Sequence, residues 1–145
     1  MQVSNYQRQH RELLLVVSEL EPWLEEARLR EDAGPIRRLL ATLAGKLTIH
    51  LKAEDAVLYP TLASSSRPEV RQTAERFARE MGGLADVFQA YIARWPRAEH
   101  IEAEPARFIE ETHAVLRALG ERINREENEL YPLLRDLQAM TSSSP

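Results

Sequence analysis

The stretch His50-Leu51-Lys52-Ala53-Glu54-Asp55-Ala56-Val57-Leu58-Tyr59-Pro60 places a histidine four positions before a carboxylate and ends in Leu-Tyr-Pro. The segment Glu126-Glu127-Asn128-Glu129-Leu130-Tyr131-Pro132 lies 72 positions after residues 54–60. Both segments have the pattern Glu-acidic-x-x-Leu-Tyr-Pro. Residues i and i+4 lie one turn apart on one face of a helix, so we expect His50 and Glu54 to point the same way. The repeat indicates a duplicated helix pair.

Apolar residues recur at helical spacing along most of the chain, and segments rich in proline, glycine or serine break this pattern in three places. The breaks predict four helices. They begin near Ser4 as N-cap, Pro35, Glu69 and Pro105, and Pro22 is expected to kink the first or to split off its last short piece.

Four long amphipathic helices with short connections bury their stripes most simply as an up-down antiparallel four-helix bundle. The predicted fold class is therefore all-α. We expect one bundle domain over residues 1–141, followed by a flexible tail over residues 142–145.

Polar residues interrupt three of the four inward-facing stripes. His10 lies on the first stripe, His50 and Glu54 on the second, and Glu126 on the fourth, whereas the third is apolar throughout. Because the chain has no cysteine, any metal site must use histidine, aspartate and glutamate. Side chains facing one another across a bundle core are the usual source of such sites.

In these residues the sequence resembles the hemerythrin-like domain, called HHE after its ligands, in which each half supplies a His and then a His-x-x-x-Glu from the next helix. The resemblance covers nearly the whole chain. It implies an up-down four-helix bundle with two non-haem irons that bind O₂ or respond to oxygen, nitric oxide or iron levels. It also implies metal ligands at His10, His50, Glu54 and Glu126.

The second half departs from this pattern at two positions, where Met81 and Arg122 stand in place of the expected histidines. The four remaining ligands can hold one metal ion but hardly two irons. We therefore expect iron as the cofactor, as one ion, with two ions or none as the alternatives.

Arg122 lies one helical turn before Glu126 and, by the repeat, across the core from His50 and Glu54. A guanidinium there can pair with one or both carboxylates where the metal charge would otherwise lie. Burying two carboxylates without a cation would cost several kcal/mol or force them to protonate. We hypothesise that Arg122 replaces at least half of the metal centre.

Composition excludes several classes of function. The net charge of −4 and the absence of a long Lys/Arg run argue against nucleic acid as a partner. The longest apolar stretch, Leu13 to Val17, is far shorter than the roughly 20 residues that a membrane span needs. No apolar run at the start resembles a secretory signal, so we expect a cytoplasmic protein.

Two functional hypotheses follow. The first is a metal-binding protein that binds or senses O₂, NO or iron. No catalytic triad or phosphate-binding glycine loop is present, so we do not expect an enzyme, although a vacant coordination site at iron can support oxidase or reductase chemistry. The second is a metal-free interaction or regulatory module in which Arg122 fills the former metal site. A weaker third possibility is a small organic ligand held between helices beside Phe77 and Phe88.

Other chemistry-bearing residues have simpler interpretations. Met81 is expected to fill core space, and Tyr59 and Tyr131 to pack at helix ends or kinks with their hydroxyls near water. His100 is expected in a polar loop and His113 at the edge of the bundle, away from Glu126.

Overall fold

The computed structural model describes residues 3–142, and this range contains helices but no strand. The α-helices are α1 Val3–Leu20, α2 Glu26–Glu31, α3 Gly34–Ala53, α4 Tyr59–Ala63, α5 Pro68–Met81, α6 Leu84–Arg94, α7 Ala98–Ala103, α8 Pro105–Arg125 and α9 Tyr131–Ser142. A 3₁₀ turn covers Glu21–Trp23. Two π-helical turns cover Glu54–Leu58 and Glu126–Leu130, and we call them the first and second π turn.

These elements form four arms. Arm 1 is α1, arm 2 is α3 with the first π turn and α4, arm 3 is α5 with α6, and arm 4 is α8 with the second π turn and α9. Helix α1 packs against α3 and α9, α3 packs against α6, α6 against α8, and α4 against α5. Each arm therefore contacts the next, and arm 4 closes the bundle against arm 1.

The core consists of two apolar clusters at opposite ends of the bundle. The larger cluster contains the C-terminal end of α1, most of the length of α3, and residues of α6 and α8, among them Leu20, Ile36, Leu40, Phe88, Tyr91 and Phe108. The smaller cluster contains Val3, Tyr6, Leu58, Tyr59, Leu62, Val70, Ala74, Phe77, Leu130, Tyr131 and Leu134. The start of each odd arm thus meets the end of its even neighbours, which is the predicted antiparallel arrangement.

Proline and glycine set most of the interruptions. Pro22 ends α1 and splits off α2, as predicted, because a proline cannot donate the helical hydrogen bond. The prediction of Ser4 as an N-cap was wrong, since α1 already includes Val3. The third helix is also broken, at Gly82 and Gly83 between α5 and α6, where the sequence analysis predicted continuity. The predicted tail, apart from the helix-terminal Ser142, lies outside the described residues.

The residues that face the core follow the predicted helical spacing, and in two helices the buried position is settled to within one residue. Leu13 is buried while Leu14 is 44% exposed, and Leu40 rather than Leu39 faces the core. His100, expected in a loop, lies on the short helix α7, and its side chain is exposed. Among the described residues no helix combines the length and the apolar character needed to cross a membrane.

Candidate metal centre

A layer of ionisable side chains separates the two apolar clusters. His10 on α1, His50 on α3, Arg122 on α8 and the two glutamates that open the π turns, Glu54 and Glu126, are all at most 2% exposed. One donor atom from each histidine and each glutamate can be chosen so that all four lie within 4.8 Å of one another. The structure therefore brings together all four residues that the sequence analysis proposed as ligands.

Each of the two glutamates opens a π turn that is followed by a tyrosine. In each turn a tyrosine N–H bonds to the carbonyl five positions earlier, from Tyr59 to Glu54 and from Tyr131 to Glu126. The next residue is proline in both arms, Pro60 or Pro132, which cannot supply the amide of a regular α-helical bond and whose ring presses on the preceding turn. The repeated Leu-Tyr-Pro frame thus accompanies a helical irregularity in the same place in both halves.

His50 presents an unused nitrogen to this layer. Its Nδ1 donates to Oε1 of Gln9 at 2.6 Å, which leaves the lone pair of the neutral ring on Nε2. Burial lowers the pKa of His50 to about 4, and the positive charges of His10 and Arg122 act in the same direction. Nε2 lies 3.0 Å from Oε1 of Glu54, yet the geometry is not that of a hydrogen bond, and this buried atom has no partner. Two acceptor atoms facing each other at this distance favour a cation between them.

His10 is held by carboxylates at both ring nitrogens. Nδ1 lies 2.9 Å from Oε1 of Glu127, whose other oxygen accepts from Gln7, and Nε2 lies 3.2 Å from Oε1 of Glu126. Burial opposes protonation of His10, but the hydrogen bonds to Glu126 and Glu127 outweigh it and raise its pKa. In many metal-binding histidines one ring nitrogen donates to a carboxylate, and this contact orients the other nitrogen towards the metal. The contact of Nδ1 with Glu127 orients Nε2 of His10 in the same way.

Arg122 bridges the two glutamates. Its Nε donates to Oε2 of Glu126 and its Nη2 to Oε1 of Glu54, each at 3.2 Å. Burial alone would lower the pKa of Arg122, but Glu126 and Glu54 outweigh it and raise the pKa, so the side chain stays cationic. The sequence left open whether Arg122 pairs with one carboxylate or both, and the structure shows it paired with both.

The guanidinium of Arg122 has two further acceptors. Nη1 donates to the carbonyl of Met81 at 3.1 Å, and Nη2 donates to Oδ1 of Asp55 at the same distance. Met81, expected to fill the core, contributes its backbone oxygen to this network.

Two tyrosines complete the layer; they lie at helix irregularities as predicted, but the expectation that their hydroxyls face water was wrong. The hydroxyl of Tyr131 donates to Oε2 of Glu54 at 2.7 Å, and that of Tyr59 donates to Oε2 of Glu126 at 2.8 Å. Burial, with the nearby carboxylates, raises the pKa of both phenols, so both remain protonated donors. The signal was the repeated Glu-x-x-x-x-Tyr spacing, which an α-helical interpretation places on different faces.

Other residues were missed or lie elsewhere. Gln9 and Glu127, which orient the two histidines, carried no signal in the sequence beyond lying beside a candidate ligand. His113, predicted at the edge of the bundle, has an exposed side chain, and so does His100 on α7. Neither histidine is part of the four-residue cluster.

A family model described as the hemerythrin HHE cation-binding domain matches residues 1–134. The chain belongs to this hemerythrin family. Searches of curated proteins and of solved structures found no match. The match covers all four arms through Leu134, and with them every residue of the buried layer.

The resemblance to the hemerythrin domain implied histidine ligands from both halves of the chain. In the buried layer both histidines come from the first half, and Arg122 takes the place of an expected histidine of the second half. The two imidazoles lie close together, with ring centroids 4.7 Å apart. Two atoms bound to one ion at about 2.1 Å each can be at most about 4.2 Å apart. The donor atoms of His10, His50, Glu54 and Glu126, which lie within 4.8 Å of one another, would therefore have to move inward to bind a single ion together.

Proposed function

We propose that this hemerythrin-family protein binds one divalent metal ion, with iron as that ion, through His10, His50, Glu54 and Glu126. The observation that carries the proposal is the buried Nε2 of His50, which has no hydrogen-bond partner and faces a carboxylate oxygen. Two imidazoles with two carboxylates suit iron better than calcium or magnesium, which prefer oxygen ligands alone.

The proposed stoichiometry is one ion rather than two. Arg122 contacts both glutamates and supplies a fixed positive charge on the side of the layer where the family resemblance implied further histidines. A second ion would have to displace this guanidinium and would find the carbonyl of Met81 in place of an imidazole. One divalent ion and one guanidinium supply three positive charges, which Glu54, Glu126 and the partly exposed Asp55 that also contacts Arg122 together offset.

We propose that the role of the site is to bind or sense O₂, NO or iron, and we place it in the cytoplasm. Iron, when bound, supplies a redox-active centre with affinity for diatomic gases. The protein's own residues prepare the site for it. Gln9 and Glu127 orient the two imidazoles, and the tyrosine hydroxyls fix the outer oxygens of the glutamates. The apolar clusters on both sides limit the access of water.

The test is to express the protein with iron in the medium and without a histidine tag, and to measure iron, zinc and manganese per chain by elemental analysis. The wild type is compared with His50→Ala and with His113→Ala, which removes an exposed histidine outside the cluster. We expect close to one iron per chain in the wild type and in His113→Ala, and little in His50→Ala. Exposure of the ferrous protein to NO should then change its visible spectrum.

The second candidate is a metal-free interaction or regulatory module. It is favoured by one observation, namely that Arg122 already pairs with both buried carboxylates. In that case the wild type would hold only trace metal even after incubation with excess ferrous ion, and the folded protein would be equally stable with and without it. Metal uptake by Arg122→His but not by the wild type would decide for this candidate.

A further inference from the structure

A cavity of about 260 Å³ extends from the surface to Arg122. It lies where arm 3 is interrupted between α5 and α6, and α8 forms its other wall. The apolar part of its lining is Met81, Leu84, Val87 and Ala118. The cavity therefore connects solvent to a side chain that contacts both glutamates of the buried layer.

Not all donors of Arg122 are engaged. A guanidinium has five N–H groups, and the described contacts supply four acceptors, namely Glu126, Glu54, Asp55 and the Met81 carbonyl. Nη2 uses both of its hydrogens, so the fifth N–H belongs to Nη1, the nitrogen that bonds to Met81 at the cavity wall. Arg122 can thus accept a further ligand from this side.

Metal binding and Arg122 compete for one oxygen atom, Oε1 of Glu54. Oε1 of Glu54 lies 3.0 Å from the unpartnered nitrogen of His50 and 3.2 Å from Nη2 of Arg122. An ion that draws this oxygen towards the imidazoles weakens the contact on the other side. A buried guanidinium that loses a carboxylate partner carries a large desolvation penalty unless another anion replaces it.

We propose that the cavity binds a small planar oxyanion, of the class of formate, nitrate or bicarbonate, on Arg122, and that this binding strengthens with metal uptake. The inference rests on the proposed single-metal function. An oxyanion can accept from the remaining N–H of Nη1, and the apolar walls strengthen such a charged hydrogen bond.

The rim of the cavity limits the charge of the ligand. Glu80 and Glu121 lie there, and the carboxylate of Glu80 is neutralised by Arg125 at 2.6 Å. The remaining charge of Glu121 disfavours multiply charged anions, so sulfate and phosphate should bind more weakly than formate. Glu121→Gln should reduce this discrimination.

The experiment measures Fe²⁺ affinity anaerobically, in chloride and in formate at equal ionic strength, for the wild type and two variants. Ala118→Phe fills the cavity from an exposed position, whereas Ala114→Phe adds the same side chain one helical turn earlier, at an exposed position outside the cavity lining. Circular dichroism checks that both variants fold. We expect formate to raise the Fe²⁺ affinity about tenfold in the wild type and in Ala114→Phe, a coupling of ordinary size, and not in Ala118→Phe.

The other outcomes overturn the inference. If formate acts equally in Ala118→Phe, it binds the metal directly rather than the cavity. If Fe²⁺ binds with the same affinity in both salts, the inference about the cavity fails but the proposed metal-binding function stands. If Fe²⁺ binds in neither salt, the proposed function fails as well, which the chloride titration by itself reveals.

Discussion

The hydroxyl of Tyr131 donates a 2.7 Å hydrogen bond to Oε2 of Glu54, although the two residues are 77 positions apart and belong to different halves of the repeat. The reverse pair, Tyr59 with Glu126, has almost the same length, 2.8 Å. Each half therefore supplies the phenol that orients the carboxylate of the other. The orientation of each glutamate side chain therefore depends on a contact between the two halves of the bundle and not on its own helix alone.

Removing the hydroxyl of Tyr131 should weaken metal binding more than it harms the fold. We expect Tyr131→Phe to lower Fe²⁺ affinity about 10- to 100-fold, because residues that orient metal ligands usually contribute this much. Tyr91→Phe is the matched control, since it removes a buried hydroxyl that bonds to Thr112 in the larger apolar cluster. Equal losses of affinity in both variants, measured by equilibrium dialysis, would show that Tyr131 has no specific role.

Replacing Arg122 should make stability depend on metal. Without its cation, the buried Glu54–Glu126 pair should destabilise metal-free Arg122→His by about 3–5 kcal/mol. Added Fe²⁺ should restore most of this loss, so the increase in Tm on adding metal should be larger than in the wild type. The metal content should rise as well.

Arg125→His controls for the loss of an arginine on the same helix. Its ion pairs with Glu80 and Glu129 are solvent-screened and should contribute little to stability. A metal-free Arg122→His protein as stable as this control would mean that the buried pair does not need the guanidinium.

The break in arm 3 should tolerate a side chain at one glycine but not at its neighbour. A Cβ at Gly82 would lie 2.4 Å from the carbonyl oxygen of Ala78, whereas a Cβ at Gly83 would have nothing within 4 Å. We expect Gly82→Ala to reduce the free energy of unfolding by about 1–3 kcal/mol, because the backbone must shift. Gly83→Ala should leave it unchanged or raise it by up to about 1 kcal/mol. Urea unfolding of the two variants measures the difference.

A pH effect on stability is expected from Glu111, away from the metal centre. Burial would raise the pKa of Glu111, but hydrogen bonds from Arg94, Arg107 and Trp95 outweigh it and hold the pKa below its ordinary value. The folded state therefore favours the ionised form. This contribution is complete above the ordinary carboxyl pKa and is lost as the pH falls through the lower, folded-state value.

Glu111→Gln should accordingly be less stable than the wild type at neutral pH, and the difference should shrink in acid. Urea unfolding across the acid range measures it, with Glu110→Gln, a neighbouring exposed carboxylate on α8, as the control. A difference between Glu111→Gln and the wild type that stays constant with pH would contradict the assignment.

The sequence was sufficient to predict the all-α fold and the convergence of the four candidate ligands. Both predictions rest on period: apolar residues at helical spacing define the arms, and His50 with Glu54 on one stripe points the pair inward. Arg122 could be paired with Glu126 for the same reason, being one turn away, and the structure confirms this contact.

Helical spacing alone could not predict the features that depend on departures from the regular helix. Each π turn contains an additional residue, which shifts the following tyrosine relative to its α-helical position and turns its hydroxyl into the buried layer. The interruption at Gly82 and Gly83 was missed because the apolar stripe continues across it. Contacts such as Gln9 with His50 depend on side-chain rotamers and tertiary distances, which no spacing rule specifies.

The charged layer also has a consequence for how the bundle comes apart. Helical domains of this size commonly unfold as one unit because their apolar core is continuous. Here that continuity is interrupted, and the smaller cluster, which includes Tyr59 and Tyr131, has its own set of apolar contacts. Partial unfolding can begin at such a boundary, with the smaller cluster opening while the larger cluster stays folded. The residues that we propose to bind a metal lie between the two clusters, so an ion bound there would link them and should oppose their separation.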